Sequence, residues 1–374
     1  MSRIFPSIDP EGLLEFSVVF TDRSLNHMSQ RFQSVMRDLN RTLTSVYNAD
    51  VAVVVPGGGT YAMEAVARQL ATDKKCLVLR NGFFSYRWSQ IFEAGKIPSE
   101  AHVLKARPID SGDCAAFAPA PIEEVEALIS KERPELVFAP HVETASGIIL
   151  PEDYLKRIAA AVHAVGGLFV LDCIASGAVW LDMDEVGADV LISAPQKGWS
   201  STPCAGLVML NKTAREKVAA SQSSSFACDL RKWLEIMEAY LNGGHAYHAT
   251  MPTDALAQLM DTMTLQEKIG FDVLKQAQCQ LGEKVRQLLR DNQFKSVAAK
   301  GFEAPGVVVS YVSQPSMTLV KQFLSLGLQT AAGVPLMCDE PESYQSFRIG
   351  LFGIDKLQNI DATLSHLEAA FSQL

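Results

Sequence analysis

Short runs of apolar residues alternate with longer amphipathic segments over the first 210 positions of the chain. The apolar runs are bounded by glycine, proline or polar residues, which is typical of buried strands. Predicted strands cover residues 51–55, 76–79, 136–139, 167–171, 190–192 and 205–210. The segments between them carry apolar residues at helical spacing, and predicted helices cover residues 31–47, 61–71, 121–133, 151–165 and 226–241. This alternation predicts an α/β fold built on a mostly parallel sheet.

The last third of the chain has a different pattern. A long helical segment covers residues 266–292, and it is followed by predicted strands at 307–312 and 346–351 and predicted helices at 317–326 and 356–371. No glycine-rich turn joins these strands to the helices, which indicates a small α+β domain. We therefore expect an N-terminal segment at 1–20, a large ligand-binding domain at 21–265 and a small C-terminal domain at 266–374.

Residues that can carry chemistry follow several predicted strands of the large domain, at the point where each strand ends. They are the glycine and threonine residues at 58–60, Phe84, Thr144, Asp172 and Lys197. In open α/β sheets, ligands bind at the carboxyl ends of the strands. Five separate motifs therefore converge on one edge of the predicted sheet, and this convergence predicts a ligand site there.

An acid and an amine stand at the ends of two successive predicted strands. The run 167–171 ends on Asp172, and the run 190–192 is followed by Lys197 in a turn of small and polar residues. Lysine is rarely buried without a partner, so Lys197 is either a surface residue at the sheet edge or a working amine. Asp172 favours the second interpretation. Pyridoxal phosphate (PLP) needs a lysine that forms a Schiff base with its aldehyde and an aspartate that keeps its ring nitrogen protonated.

A glycine-rich turn at 57–60 follows the first predicted strand and leads into a helix. Backbone N–H groups and the helix dipole at such a turn favour a phosphate group. The spacing at 57–62 also fits the G-x-G-x-x-A pattern of dinucleotide sites, so a nicotinamide enzyme is an alternative on this motif alone, as is a tight turn for packing. The next strand, however, ends in Arg80 and not in an acid. A dinucleotide site would also leave the acid and the amine unexplained.

The motifs around the acid and the amine resemble those of the class V aminotransferases of the type I PLP fold, most closely the alanine–glyoxylate and serine–pyruvate branch. They are Asp172-x-Ile174-x-Ser176 and Ser193-x-x-Gln196-Lys197, and the similarity extends over most of the chain. The resemblance implies a mostly parallel, seven-stranded type of sheet, with Lys197 and Asp172 as catalytic residues. It also implies cofactor contacts from Gly58, Gly59, Thr60, Phe84, Thr144, Asp172, Ile174, Ser176, Gln196 and Lys197.

The resemblance extends to a second subunit and to the substrate. Tyr247 and Thr250 match residues that reach across a dimer interface to the partner's cofactor phosphate, so we expect a homodimer with shared active sites. Arg348 matches the arginine that binds a substrate α-carboxylate, a group that suits the planar guanidinium, and an internal salt bridge is the alternative. The chain departs from the family at Phe84, where tryptophan is frequent, and at Ala145, where serine is usual.

Composition adds several exclusions. With 374 residues, 48% of them hydrophobic, the chain can bury a large core. The net charge of −9 without a basic tract argues against a nucleic-acid partner. The chain has no run of about 18 apolar residues and no signal peptide, so we expect a cytoplasmic protein without a membrane partner. The seven cysteines form no CxxC pair, and His245 and His248 have no acid or cysteine at ligand spacing, so we expect no metal site.

We therefore expect a PLP-dependent aminotransferase that moves an amino group between a small amino acid, such as alanine or serine, and a small 2-oxo acid, such as glyoxylate or pyruvate. The first alternative is a cysteine desulfurase or another PLP-dependent lyase of this fold. Cys338 lies in a flexible-looking stretch, yet Asp339 and Glu340 should raise the pKa of its thiol and disfavour the thiolate. The second alternative, a binding protein without turnover, would not need the proton-transfer lysine.

Overall fold

The computed structural model describes residues 8–374 of the chain. Within them the helices are Gln30–Tyr47 (α1), Gly59–Leu70 (α2), Phe83–Gly95 (α3), Ile122–Glu132 (α4), Glu152–Ala164 (α5), Met183–Val186 (α6), Lys212–Ala220 (α7), Leu230–Leu241 (α8), Thr253–Ile269 (α9), Phe271–Asp291 (α10), Ser316–Ser325 (α11), Ile354–Gln358 (α12) and Ile360–Phe371 (α13). The strands are Val51–Pro56 (β1), Lys75–Arg80 (β2), Glu100–Lys105 (β3), Arg107–Pro108 (β4), Phe117–Ala118 (β5), Leu136–Pro140 (β6), Val142–Glu143 (β7), Ile148–Ile149 (β8), Leu168–Asp172 (β9), Val190–Ser193 (β10), Ala205–Leu210 (β11), Val307–Tyr311 (β12), Ala331–Ala332 (β13) and Ser346–Gly350 (β14).

Seven strands form the central sheet, in the order β3-β2-β6-β9-β10-β11-β1. Neighbouring strands are parallel except where β11 takes part, because β11 is antiparallel to both β10 and β1. The apolar residues of β6, β9 and β10 are buried on both faces, as expected for parallel strands that helices cover on both sides. The predicted α/β fold with a mostly parallel seven-stranded sheet is confirmed.

Strand β11 lies inside the sheet, between β10 and β1, although it is the last of its strands along the chain. The connection from β10 covers residues 194–204 and contains no helix. A parallel strand needs a long crossover that returns the chain to the opposite end of the sheet. Because this connection has no crossover helix, the chain turns back and β11 pairs antiparallel with β10.

A second, three-stranded antiparallel sheet in the C-terminal part has the order β12-β14-β13. Helix α10 packs on β12, and α11 packs on β13 and β14. Arg348 lies in the middle strand, opposite Val309 on one side and Ala331 on the other. This mixture of strands and helices agrees with the expected α+β character, while the boundaries at 20/21 and 265/266 stay a prediction.

The predicted helix at 266–292 is wrong as a single element. Helix α9 ends and α10 begins on either side of Gly270, whose φ of 100° lies outside the helical region. Glycine adopts such an angle without a steric penalty, so the chain changes direction there. The helical spacing of apolar residues continues on both sides of the break, which is why the pattern predicts one helix.

Two other predicted helices differ from the observed ones, one in its first residue and one in its continuity. The helix predicted from residue 226 begins at Leu230, because the side chain of Asp229 accepts hydrogen bonds from backbone N–H groups of the first turn. The helix predicted at 356–371 is divided into α12 and α13 around Asn359. Helix boundaries of this kind depend on caps, which the apolar spacing does not specify.

The part of the N-terminal segment that the structure describes, residues 8–20, contains no helix or strand. The side chains of Phe16 and Val18 in this part are fully exposed or nearly so. Residues 1–7 of the predicted segment lie outside the described residues. No helix between residues 8 and 374 is long and apolar enough to cross a membrane.

Candidate active site

The carboxyl ends of β1, β2, β6, β9 and β10 lie at one edge of the central sheet, because these strands run in the same direction. The register places Asp172 at the end of β9, opposite Pro140 of β6 and Ile192 of β10. The turn at 57–60 follows β1 and Lys197 follows β10 at the same edge. The acid and the amine therefore stand on neighbouring strands, as the sequence order suggested.

Asp172 is a buried carboxyl group with a single hydrogen bond. Its Oδ1 accepts a hydrogen bond from the N–H of Ile174 at 2.9 Å, and its Oδ2 has no hydrogen-bond partner among the described residues. Burial, helped by the nearby Glu143 carboxylate, raises the pKa of Asp172 to about 7, although the N–H of Ile174 and the charge of Arg87 act in the opposite direction. A buried acid in this state is stabilised by a cationic hydrogen-bond donor.

The amine of Lys197 lies at the same edge. Its Nζ has no hydrogen bond and no ionic partner in the described part of the chain, and it lies 5.0 Å from the centroid of the Phe352 ring. Burial lowers the pKa of the Lys197 amine, and the positive charge of Arg348 lowers it further. Both effects increase the fraction of neutral, nucleophilic amine at neutral pH.

The turn that carries Lys197 is packed directly against the turn that follows Asp172. A Cβ atom at Gly198 would lie 2.0 Å from the carbonyl oxygen of Gly177. The same turn is held from α9, because Gln266 Nε2 donates a hydrogen bond to the Gly198 carbonyl at 2.7 Å. Only glycine leaves room for this backbone approach, so the acid and the amine are kept in a fixed relation to each other.

Arg348 brings a positive charge from the second sheet to this edge. Its Nε donates a hydrogen bond to the carbonyl of Ala332 at 3.0 Å, and its Cζ lies 5.7 Å from the centroid of the Phe84 ring. Burial lowers the pKa of Arg348, while the Glu143 carboxylate favours its charged form. The guanidinium forms no salt bridge within residues 8–374, so the alternative of an internal ion pair is not what the structure contains.

The buried carboxylate of Glu143 holds the N-terminus of α3. It accepts hydrogen bonds from the N–H of Phe84 at 3.2 Å, from the N–H and the hydroxyl of Ser85 at 2.8 and 2.7 Å, and from the N–H of Ala145 at 2.9 Å. The N–H groups of Phe84 and Ser85 belong to the first turn of α3 and lack an acceptor within the helix. Phe84 therefore lies in the first turn of α3.

The glycine turn after β1 combines open space with close packing. No atom lies within 4 Å of the position that a Cβ would take at Gly58, whereas a Cβ at Gly59 would lie 2.5 Å from Cδ1 of Ile174. Helix α2 begins at Gly59, so the N–H groups of Gly59 and Thr60 have no backbone acceptor and are free for an anion, whereas those of Tyr61 and Ala62 donate to the Gly58 carbonyl. The hydroxyl of Thr60 accepts a hydrogen bond from Nη1 of Arg87 at 2.9 Å. An anion at this turn would meet both a helix N-terminus and a guanidinium.

Three further residues with predicted cofactor contacts lie on the turns of this edge. The hydroxyl of Ser176 is 2.7 Å from Nδ1 of His141, whose pKa burial lowers to about 3, so this ring is neutral. The Thr144 hydroxyl and the Gln196 amide have no hydrogen-bond partner among the residues that the structure describes. Thr144 is half-buried and Gln196 is exposed, so both polar groups remain available to a ligand.

Tyr247 and Thr250 lie apart from the other predicted site residues. The Tyr247 hydroxyl is 3.0 Å from the Thr250 hydroxyl, and its ring centroid is 5.5 Å from that of His27. In the described part of the chain, neither side chain has a hydrogen bond or a ring contact with the turn at 57–60 or with Lys197. The Tyr247 side chain is exposed. Neither residue therefore contacts these parts of the site within its own chain.

Cys338 is buried in a turn that hydrogen bonds hold in place. The Glu340 carboxylate accepts hydrogen bonds from the N–H groups of Leu336, Met337 and Cys338 at 2.6, 3.0 and 2.8 Å. Burial raises the pKa of the Cys338 thiol to about 12, and the Glu143 and Glu340 carboxylates add to the increase. The sequence pattern attributed a raised pKa to neighbouring charges, but burial is the larger cause. The stretch that looked flexible is an ordered turn.

The sequence pattern assigned no role to three residues of this site. Arg87 stands three positions after Phe84 in α3, so helical spacing could have placed both on one face. Glu143 directly precedes Thr144, yet three of its four hydrogen bonds come from Phe84 and Ser85, a distant segment that the spacing does not show. Phe352 approaches Lys197 from the end of the second sheet, and no local signal predicts this contact.

The residues at this edge fit PLP. The free Oδ2 of Asp172 suits the N–H of a protonated pyridine ring, and the unpaired amine of Lys197 suits an aldehyde. The open space at Gly58, the helix start at Gly59 and the nearby guanidinium suit a phosphate group. The ring of Phe84 offers an aromatic surface beside them. The residues of this chain therefore offer a partner for the ring nitrogen, the aldehyde, the phosphate and the ring face of PLP.

Comparison with known proteins agrees with this fit. The family described as Aminotransferase class-V matches residues 15–334 of the chain. The alanine–glyoxylate aminotransferase of Rattus norvegicus is 26% identical over 256 residues, which cover 67% of this chain but 58% of that protein, less than two thirds of its length. A 2-aminoethylphosphonate–pyruvate transaminase of Pseudomonas aeruginosa (strain UCBPP-PA14) is 28% identical over 311 residues, which cover 80% of this chain and 77% of that protein.

A crystal structure of alanine–glyoxylate aminotransferase from Nostoc sp. matches the fold with a TM-score of 0.79 at 20% identity, over 92% of this chain and 89% of that one. This likeness confirms the predicted type I PLP fold. The family match covers most of the chain, including every strand of the central sheet. The chain therefore belongs to the class V aminotransferases, a family of PLP-dependent enzymes.

Proposed function

We propose that this chain is a PLP-dependent aminotransferase that moves an amino group between a small amino acid, such as alanine or serine, and a small 2-oxo acid, such as glyoxylate or pyruvate. The observation that carries the proposal is that Asp172 and Lys197 stand on neighbouring strands and both lack an ionic partner. The names of the two relatives, which pair alanine with glyoxylate and 2-aminoethylphosphonate with pyruvate, support small substrates.

Each role follows from the geometry of the site. PLP supplies an aldehyde that joins to amines and a protonated pyridine ring that withdraws the electron pair left at the substrate Cα. Asp172 would hold the ring proton through its free Oδ2. Lys197 would anchor the cofactor and then accept the proton from the substrate Cα at Nζ, and burial lowers the pKa of its amine, which favours the neutral form that this step needs. Phe84 would stack on the pyridine ring.

Arg348 is the residue that we propose for the substrate carboxylate. Its guanidinium has a bond to one carbonyl and no acidic partner among residues 8–374, so its two terminal nitrogens are free for a bidentate carboxylate. The rings of Phe84 and Phe352 lie beside Arg348 and Lys197. These apolar walls exclude water and strengthen the interaction between the guanidinium and its anion.

We also propose a cytoplasmic homodimer with shared active sites. Tyr247 and Thr250 are exposed and lie apart from the site of their own chain, so they remain available to a second copy. All seven cysteines are free thiols, which supports a reducing compartment. Mixing Lys197→Ala subunits with Tyr247→Phe subunits should give heterodimers in which one of the two sites has both residues intact. A monomer in sedimentation at working concentration would contradict this proposal.

Borohydride reduction of the yellow holoenzyme tests the role of Lys197. We expect a phosphopyridoxyl group on Lys197 in the parent protein and none at that position in Lys197→Ala. Single-turnover absorbance should then change when an amino acid alone is added and return when glyoxylate or pyruvate follows. An adduct on another lysine would overturn the assignment of Lys197, and the absence of any spectral response to amino acids would overturn the proposed activity.

Cys338 tests the main alternative, sulfur transfer from cysteine. A desulfurase needs a mobile thiolate, whereas this thiol is buried, raised in pKa to about 12 and held in an ordered turn. Cys338→Ala should therefore transaminate like the parent. Release of sulfide and alanine from cysteine by the parent, and its loss in Cys338→Ala, would support the desulfurase in place of our proposal.

A further inference from the structure

We propose that Arg87 binds the phosphate of the cofactor and neutralises its charge from within the same subunit. This inference rests on the proposed PLP-dependent function and adds a residue to it. Arg87 lies one helical turn after Phe84, in the helix that follows β2. None of the motifs that pointed to the cofactor includes it.

The first observation is the position of the Arg87 side chain. Nη1 of Arg87 donates a hydrogen bond to the Thr60 hydroxyl at 2.9 Å, so the guanidinium lies at the glycine turn where α2 begins. Helices α2 and α3 also pack against each other. The positive charge of Arg87 reaches the other end of the site as well, since it favours the ionised form of Asp172.

The second observation is that Arg87 has no acidic partner among the described residues, although its side chain is half-buried. Several other arginines of the large domain form ion pairs with acids. Arg157 contacts Glu123 and Glu126, and Arg215 contacts Asp50 and Glu238. The Arg87 guanidinium lies 5.3 Å from the centroid of the Phe84 ring, which orients it without neutralising it. A cation that is positioned but unpaired is suited to an anionic ligand.

The third observation is the charge that a phosphate would otherwise meet. At the turn of 57–60, the backbone N–H groups and the Thr60 hydroxyl are uncharged donors, and the buried carboxyl groups of this site, Asp172 and Glu143, supply no positive charge. A phosphate ester carries between one and two negative charges at neutral pH, and charge-assisted hydrogen bonds to a guanidinium are stronger than those to neutral donors. Arg87 supplies the cation that this turn lacks.

Comparison of PLP with pyridoxal, which has the same ring and aldehyde but no phosphate, tests the inference. Both would be titrated into cofactor-free parent, Arg87→Gln and Arg87→Lys proteins, and the dissociation constants measured by absorbance. We expect Arg87→Gln to bind PLP roughly ten- to a hundredfold more weakly, as for the loss of a charged hydrogen bond, with pyridoxal binding unchanged. Arg87→Lys should recover part of the PLP affinity because it keeps the charge.

Phosphorus NMR of the bound cofactor gives a second measurement that does not depend on turnover. Without the guanidinium, the phosphate of PLP bound to Arg87→Gln should lose its second proton at a higher pH than in the parent. Arg348→Gln is the matched control, since it removes a cation from the same site but should leave the ratio of PLP to pyridoxal affinity unchanged.

Two outcomes would overturn the inference. If Arg87→Gln weakens PLP and pyridoxal equally, or weakens neither, Arg87 does not bind the phosphate and only supports the packing of Phe84 and Thr60. If the parent itself fails to bind PLP, the proposed function falls and this inference falls with it. Normal PLP binding by the parent with an unchanged affinity ratio in Arg87→Gln overturns the inference alone.

Discussion

Asp189 precedes β10 at the amino edge of the central sheet and is buried like Asp172 at the carboxyl edge. The two carboxyl groups differ in their partners. Asp189 accepts hydrogen bonds from the N–H of Phe169 at 2.7 Å, from His163 Nε2 at 2.9 Å and from Asn211 Nδ2 at 2.8 Å. Asp172 accepts one. At the amino edge, the carboxylate of Asp189 joins three segments of the chain. At the carboxyl edge, one of the two carboxyl oxygens of Asp172 has no partner among the described residues.

The cations of the two edges differ in the same way. At the amino edge, Lys74 is paired with Glu135 at 2.8 Å. At the carboxyl edge, Lys197, Arg348 and Arg87 have no carboxylate partner among residues 8–374. A buried or half-buried charge without a partner lowers the stability of the folded chain. The absence of an ionic partner, more than burial, therefore distinguishes the charged residues of the site from the charged residues that stabilise the fold.

The largest expected effect is on Asp172. Its pKa is raised from 3.8 to about 7 in the cofactor-free fold, so folding disfavours the ionised form, and stability falls as pH rises through the interval between these values. A shift of about three units corresponds to about 4 kcal/mol. Asp172→Asn, which is always neutral, should be more stable than the cofactor-free parent by up to about 4 kcal/mol near pH 8 and by little near pH 4, in urea unfolding. The same variant should lose transamination.

The control for this prediction is the parent with saturating PLP. A protonated ring would stabilise the ionised carboxylate, so the stability advantage of Asp172→Asn should disappear in the holoenzyme. A stability difference between Asp172→Asn and the cofactor-free parent that is independent of pH would show that the pKa of Asp172 is not raised.

The next effect concerns Arg348. Removing this half-buried, unpaired cation also removes its hydrogen bond to the Ala332 carbonyl, so the two effects on the free energy of unfolding should largely offset each other. A bound substrate carboxylate, by contrast, loses its partner. Arg348→Ala should therefore weaken amino-acid binding by about 3 kcal/mol, roughly a hundredfold or more, with PLP affinity intact. Titration of the holoenzyme absorbance measures this change, and Arg348→Lys serves as the charge-preserving control. Normal amino-acid affinity in Arg348→Ala would place the carboxylate elsewhere.

A smaller effect is expected at the amino edge. Asp189→Asn replaces a carboxylate oxygen with an NH2 group, so one of the three donors to Asp189 would face another donor. We expect a loss of about 2 kcal/mol in the free energy of unfolding. Turnover per folded molecule should stay unchanged, which activity corrected for the folded fraction measures. A specific loss of turnover would remove the distinction between the two edges.

The smallest effect concerns His163, the exposed partner of Asp189. Its hydrogen bond to Asp189 raises the pKa of His163, so the ion pair contributes stability below the unfolded pKa of about 6.5, and this contribution is lost as pH rises through the folded pKa. The side chain is 45% exposed, so solvent screens the charge. His163→Gln should cost less than about 1 kcal/mol near pH 5.5 and still less near pH 9, in thermal unfolding. An equal cost at both pH values would exclude the charge as its source.

The convergence of the site on one edge could be predicted from the sequence because it depends on local signals. Each strand is a short apolar run, and parallel order brings the carboxyl ends together whatever the order of strands in the sheet. Asp172 and Lys197 stand directly at the ends of such runs. The fold class and the parallel sheet follow from the same signals, whereas the family is predicted from the resemblance of the motifs around Asp172 and Lys197.

The remaining features depend on contacts between segments that are distant in sequence. The position of β11 inside the sheet follows from the length and content of the connection before it. The hydrogen bond from Arg87 to Thr60 requires α3 to pack beside α2, and the contact of Phe352 with Lys197 requires the segment after β14 to reach the turn after β10. The break at Gly270 leaves the helical spacing intact on both sides. None of these features changes the apolar pattern.

The backbone contact between Gly198 and Gly177 has a consequence for anyone who redesigns this enzyme. In a variant library that randomises the residues around Lys197, most variants will carry a side chain at position 198. Such a side chain collides with the carbonyl of Gly177, so the two turns cannot pack against each other. Holding position 198 as glycine and spreading diversity over the aromatic walls at Phe84 and Phe352 would keep the amine in place. New substrate ranges should therefore be sought in those walls and not in the lysine turn.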